Sequence, residues 1–199
     1  NHRTTSFDAA AHPFATGPWR APGNNTNCFA RESHIDLLAA HARMDPIEFR
    51  LRHLKDQRAI GVLQAAAEKF GWQPAPAPSG RGLGVAVGTD VGTWVAEIAE
   101  VEVDSRTGHV QVKRVVCAQD MGLVVNPQGA TLQVESCITM GLGYTLSEDI
   151  HFANGMIFDR SFDTYELPGF AAVPRIETVL LDRKDQPMHG GGEPAIILV

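Results

Sequence analysis

Trp94-Val95-Ala96-Glu97-Ile98-Ala99-Glu100-Val101-Glu102-Val103, then Asp104-Ser105-Arg106-Thr107-Gly108, then His109 to Cys117, is the stretch that decides the fold. Two runs rich in β-branched residues flank a turn-forming pentapeptide, so the spacing predicts an antiparallel hairpin with strands over 94–103 and 109–117. Upstream, Val85 to Gly88 reads as a further strand. Downstream, Asn126-Pro127 is a cap followed by proline and opens a helix to about Leu142, with Ala130, Val134 and Ile138 facing inward. Asn154-Gly155, set between Ile150 and Phe152 on one side and Ile157 and Phe158 on the other, predicts a two-residue hairpin. A last strand covers about Ile176 to Leu181.

Before the strands the apolar period is 3.6 rather than 2. Ile35, Leu38, Ala39 and Ala42 predict a helix over about 27–43. Asp45-Pro46-Ile47-Glu48 opens a second, over about 46–54, with Asp45 as N-cap, Pro46 in the first turn and Glu48 placed to bond back to the N-cap amide. Val62, Leu63, Ala66 and Phe70 carry a third helix up to Gly71, which supplies a left-handed stop. Residues 1–25, rich in Gly, Pro, Asn and Thr, read as loop. The expected organisation is a loop plus three-helix segment over 1–72, a Pro-rich connector over 73–81 and an α+β segment over 82–199. The fold class is α+β, a mainly antiparallel sheet with packed helices and no internal repeat.

A formal charge of −6, with 17 Lys and Arg scattered along the chain, argues against a nucleic-acid partner, which needs a basic face. No apolar run approaches the roughly 18–20 residues of a transmembrane helix. Cys28, Cys117 and Cys137 are odd in number and far apart, so neither a disulfide framework nor an iron–sulfur motif is written here. Both ends read as cuts: Asn1-His2-Arg3 has no initiator Met, and Ala195-Ile196-Ile197-Leu198-Val199 is an apolar run that stops unfinished. A loop so near a cut is expected to be loosely held.

Most candidate motifs have a bland reading that outweighs the chemical one. Gly82-Leu83-Gly84-Val85-Ala86-Val87-Gly88 lies in a strand-like run and is no dinucleotide loop. Gly141-Leu142-Gly143 reads as a helix stop or a close-packing spot. His34 and His41 share a helix face without a third ligand, Ser136 and Ser147 lie in no nucleophile elbow, and Cys117 and Cys137 read as small core residues. Asp120-Met121-Gly122-Leu123-Val124-Val125-Asn126-Pro127 reads as a strand-to-helix connection. Arg20, in a loop bounded by Pro and Gly, offers a planar fork of donors to an anion or is simply solvated. The loop Gly190-Gly191-Gly192-Glu193-Pro194 differs in kind: three glycines allow close backbone approach and expose amides, Pro194 opens a helix, and Glu193 stands at the edge with a carboxylate suited to a general base or to the helix dipole.

Taken in order, several stretches resemble the catalytic subunit of the xanthine dehydrogenase family of molybdenum hydroxylases, most closely its isoquinoline 1-oxidoreductase β-subunit branch. They are Trp19 to Asn25, Arg31-Glu32-Ser33 through Arg52, Val95 to Val103, Cys117 to Gly122, Gln133 through Gly143, Tyr165-Glu166-Leu167-Pro168 and Gly190 to Pro194. Together they cover nearly the whole chain, so the chain is similar to a C-terminal fragment of that subunit, part of its molybdenum-cofactor-binding domain. The resemblance implies hydroxylation of an N-heteroaromatic or aldehyde carbon with oxygen from water. It implies a molybdopterin-type cofactor in its cytosine dinucleotide form, and electrons passing to [2Fe-2S] clusters.

Carried over by motif, Glu193 is the base that takes the proton of the attacking hydroxyl, Arg20 lies on the substrate side, Gly191 and Gly192 make backbone contacts beside the metal, and Gln133 falls near the pterin phosphates. No protein side chain is assigned as a metal ligand. The implied partners are a small [2Fe-2S] subunit and a cytochrome c, with a periplasmic or inner-membrane-associated location. Pro22 stands where xanthine-oxidising members place a stacking aromatic, which speaks against purine oxidation, and the family's other cofactor segments are not in this sequence. The fragment alone is expected to be inactive. Two alternatives remain: a non-catalytic assembly or interaction module derived from such an enzyme, and a nicotinamide-dependent dehydrogenase, which requires a strand, loop and helix over 82–95.

Overall fold

The computed structural model describes Thr5, Phe7, Gly17, 19–73 and 80–199, so the connector over 74–79 and most of the loop over 1–18 lie outside the described residues. Helices α1 (Pro22–His41), α2 (Pro46–His53) and α3 (Gln57–Phe70) precede strands β1 (Arg81–Asp90), β2 (Thr93–Val103) and β3 (Val110–Asp120). Helix α4 (Pro127–Leu146), a small hairpin of β4 (Phe152–Ala153) and β5 (Met156–Ile157), and strand β6 (Arg175–Leu180) follow.

The local signals act where the sequence puts them. The Asp45 carboxylate accepts from the amides of Ile47 and Glu48, Asp56 caps α3 in the same way, and Asn126 accepts from the Gly129 amide. Gly71 ends α3 at φ 74°. Asp104 closes the β2–β3 turn by accepting from the amides of Arg106 and Thr107. Two features differ from expectation. Glu48 does not bond back to its N-cap; its carboxylate pairs with Arg52 one turn on. Helix α1 begins at Pro22, inside the predicted loop, because proline serves the first turn there and Ala21 enters with a left-handed φ of 60°.

The buried face of α1 also differs from the apolar one predicted. Cys28, Glu32 and Ala39 are buried while Leu37 and Leu38 are exposed. Glu32 tolerates burial because the buried Arg50 donates to it from Nε at 3.0 Å and the Val87 amide donates at 3.0 Å, fastening α1 to α2 and to β1.

The sheet runs β1-β2-β3-β6. The first three strands are antiparallel, and β6 adds parallel to β3, reached through α4. A parallel neighbour needs a long crossover, which local pattern does not reveal. The β1–β2 turn uses Val91 and Gly92, both at positive φ. This matches the twist of a two-residue hairpin but places a β-branched residue where few sit.

Between β2 and β3 the register shifts: Glu100 faces Arg114 and Val101 faces Val112, so Lys113 is an extra residue. The bulge resets the alternation and lets Val112 join Val115 and Cys117 on one face. Helices cover both faces of the sheet, which explains nearly continuous burial over 94–98 and 115–120. One face packs Val62, Leu63 and Ala66 of α3 on Val85, Val87, Ala96, Ile98 and Ala118. The other packs Cys28, Val134, Cys137 and Ile138 of α1 and α4 on Val95, Val115 and Cys117, with Ala195, Ile196 and Ile197 between them.

That last contact overturns the expectation of a loosely held terminal loop: residues 194–197 are core, and they form a 3-10 turn rather than an α-helix. Within the glycine runs read as bland, Gly88 and Gly141 are packing sites. A Cβ on Gly88 would lie 2.9 Å from Ile197 Cδ1, and one on Gly141 would lie 2.6 Å from Val199 Cβ. Residues 82–95 form a strand and hairpin, which removes the nicotinamide-loop alternative.

Candidate active-site loop

The terminal loop, residues 189–193, lies across the edge where the start of β2, the end of β3, the entry to α1 and the face of α4 meet. The His189 amide donates to the Met121 carbonyl at 2.8 Å. The Thr93 hydroxyl donates to the Gly190 carbonyl at 2.6 Å, and Gln119 Nε2 donates to the Gly191 carbonyl at 3.3 Å. The Gly192 carbonyl accepts from Arg20 and from the Cys137 thiol, the latter at 3.4 Å. Arg20 also donates to Gln133 Oε1 at 2.6 Å and to Ser136 Oγ at 3.0 Å on α4. Glu193 Oε2 accepts from the Ala21 amide at 2.9 Å, at the entry to α1, where the helix dipole favours a carboxylate. Its other oxygen makes no hydrogen bond to a described residue.

Arg20, Gln133, Gly191, Gly192 and Glu193, drawn from three distant parts of the sequence, are therefore brought together. The half-buried Arg20 guanidinium is engaged by the loop and by α4. Sequence reasoning missed Thr93, Gln119 and Cys137 as loop contacts. Gln119 carried a signal, a polar residue inside an apolar run, whereas Thr93 carried none.

Behind the loop, Asp120 is fully buried and accepts from Arg58 at 2.9 Å and from Arg183 at 3.0 Å. Burial opposes its charge, but these hydrogen bonds and one from the Gly122 amide hold the carboxyl below its ordinary range. Gly122 has φ 76°, and a side chain there would collide with the Pro187 carbonyl. The segment read as a plain connection thus stitches the end of β3 to residues 182–187, which lead from β6 into the loop.

The donor set fits a cofactor gripped by backbone and amide groups. Among the described residues no three His, Cys, Asp or Glu converge to ligate a metal directly. The amides of Gly190, Gly191, Gly192 and Glu193 have no partner among the described residues, and the loop is packed so tightly on one side that a Cβ on Gly191 would lie 2.5 Å from Met121 Cε. A metal here would arrive on an organic carrier whose polar edge meets such amides and the Gln133 side chain.

The sequence model of the molybdopterin cofactor-binding domain matches residues 58–174. A nicotinate dehydrogenase chain of Pseudomonas putida is 35% identical over 202 residues, which is 93% of this chain and 17% of that protein. The β chain of isoquinoline 1-oxidoreductase from Brevundimonas diminuta is 33% identical over 174 residues, covering 86% of this chain and 22% of that protein. The chain thus spans about a fifth of the length of these relatives. Among solved structures, the aldehyde oxidoreductase from Desulfovibrio gigas overlays 90% of the chain and 38% of its own length with a TM-score of 0.73 at 15% identity, a likeness of fold.

Proposed function

The chain belongs to the molybdopterin cofactor-binding domain family, within the xanthine dehydrogenase-type molybdenum-binding subunits, and from that premise we propose that it supplies the general-base side of a molybdenum hydroxylase active site. The reaction converts a C–H bond of an N-heteroaromatic ring or an aldehyde, with one water, into C–OH, releasing two electrons and two protons. A pterin-bound molybdenum would supply the two-electron chemistry, with water as the source of the oxygen. Glu193 takes a proton from the water that supplies the oxygen, using the carboxylate oxygen that makes no bond to Ala21. Gly191 and Gly192 offer backbone amides to the cofactor, and Gln133 presents its amide nitrogen from α4. Arg20 holds Gln133 and the Gly192 carbonyl in register.

The observation that carries this reading is the meeting of Glu193, Arg20 and Gln133 around a loop with unpartnered amides. The cytosine dinucleotide form of the cofactor, a small [2Fe-2S] subunit as electron acceptor, a cytochrome c beyond it and a periplasmic or inner-membrane-associated location belong to the same proposal. They rest on the family resemblance. Among the described residues no helix is long and apolar enough to cross a membrane.

The test is isotopic. The full-length enzyme with its partner subunits, given nicotinate, isoquinoline or benzaldehyde and a dye acceptor in H2(18)O, is expected to place one labelled oxygen in the product of at least one of them. Product oxygen drawn from dioxygen, or no turnover of all three, would overturn the assignment.

A further inference from the structure

We propose that Thr93, Gln119 and Cys137 are positioning residues that set the geometry of Glu193, each by fastening one carbonyl of the three glycines before it. The proposal rests on the reading of Glu193 as the base. Three successive glycines have the widest conformational range of any tripeptide, so a carboxylate carried on them needs outside constraints to stay in one place. The constraints come from three different elements. Thr93 opens β2 and takes Gly190, Gln119 lies near the end of β3 and takes Gly191, and Cys137 on α4 shares Gly192 with Arg20. All three donor residues are buried, and the bonds they make to the loop are part-buried. Burial also pushes the Cys137 thiol up to about 11, which keeps its proton available for donation.

Gln119 shows what the arrangement costs. Its Oε1 is buried without a partner among the described residues, while its Nε2 serves the Gly191 carbonyl. The residue makes sense for its one donated bond to the loop. The opposite side of the loop is closed by packing: Val91, held at φ 44°, sets its Cγ2 2.8 Å from where a Cβ on Gly190 would be. Strained backbone of this kind persists only where the surroundings over-determine it, as at a site whose geometry matters. With its carbonyls tied and its outer amides unbonded, the loop has one conformation in which to present Glu193.

The test uses the full-length holoenzyme with whichever of nicotinate, isoquinoline or benzaldehyde it turns over. Thr93→Val keeps the shape and deletes the donor; Thr93→Ser keeps the donor. Thr93→Val is expected to lower kcat by about 10-fold to 100-fold, as a displacement of the order of 1 Å does, with KM within about twofold of wild type. Molybdenum content should equal that of wild type. Hydrogen exchange in the peptide spanning 189–197 of the cofactor-free protein should quicken. Thr93→Ser should restore both kcat and the slow exchange. Unchanged kcat in Thr93→Val, a loss expressed in KM instead, or a Thr93→Ser no better than Thr93→Val would overturn the proposal. Should Thr93→Val fail to fold, Gln119→Met, similar in length and lacking the donor, carries the same expectations. A wild-type enzyme that contains no molybdenum fails the functional reading itself and takes this proposal with it, whereas an active wild type with an equally active Thr93→Val fails this proposal alone.

Discussion

Glu193→Gln is expected to reduce kcat by about 10²- to 10⁴-fold, the range a positioned general base contributes, while molybdenum bound per chain stays at the wild-type level. The substitution is close to isosteric. The Gln side-chain oxygen can still accept from the Ala21 amide, the bond that now holds Glu193 Oε2 at 2.9 Å, so the loop and the entry to α1 remain in place. Lost is the capacity to take up a proton. A structural role for this carboxylate predicts the opposite pattern, with near-normal turnover in whatever enzyme retains cofactor. Elemental analysis and turnover measured on one preparation separate the two, and retained activity at full metal content removes the base assignment.

Replacing Glu97 by Gln should raise stability at pH 8 and leave the chain almost unchanged at pH 5. Glu97 sits in the middle of β2 on the face covered by α1 and α4, is nearly fully buried, and has one carboxyl oxygen without a partner among the described residues. Burial pushes its carboxyl from an ordinary 4.5 up to about 8, against a smaller opposing effect of the hydrogen bond with Cys117. Between those two values the folded chain keeps a proton that the unfolded chain releases. Stability attributable to this group therefore falls as pH rises through the window, and the loss is complete above about 8. Glutamine carries no ionisation penalty and should flatten this part of the profile. Urea midpoints of both proteins from pH 5 to pH 8 check it. Parallel profiles would mean that Glu97 is already ionised throughout.

Much of the fold was legible because it is written in local chemistry. Asp45-Pro46, Asn126-Pro127 and Gly71 mark helix ends through side-chain and backbone effects that act within a few residues, and Asp104 to Gly108 marks its turn in the same way. The start of α1 was hidden by Gly23, Asn24 and Asn25, residues that favour loops, and its inward face by Glu32, whose burial depends on Arg50 from another helix. The bulge at Lys113 and the parallel pairing of β6 are decided by partners far along the chain, where periodicity is silent. At the site, the glycine loop and its carboxylate stood out for their chemistry. Arg20 was singled out by its guanidinium and by resemblance, Gln133 by resemblance alone. Thr93 and Cys137 were invisible because a single hydroxyl or thiol in an apolar stretch reads as packing until the fold lays a carbonyl against it.

The decisive measurement is the molybdenum content of the full-length protein, purified with its partner subunits from a host that makes the pterin cofactor. About one molybdenum per copy of this chain is expected by elemental analysis, retained when Glu193 is replaced by Gln. Protein that is folded and assembled under those conditions yet contains no molybdenum would contradict a cofactor-binding role for this chain.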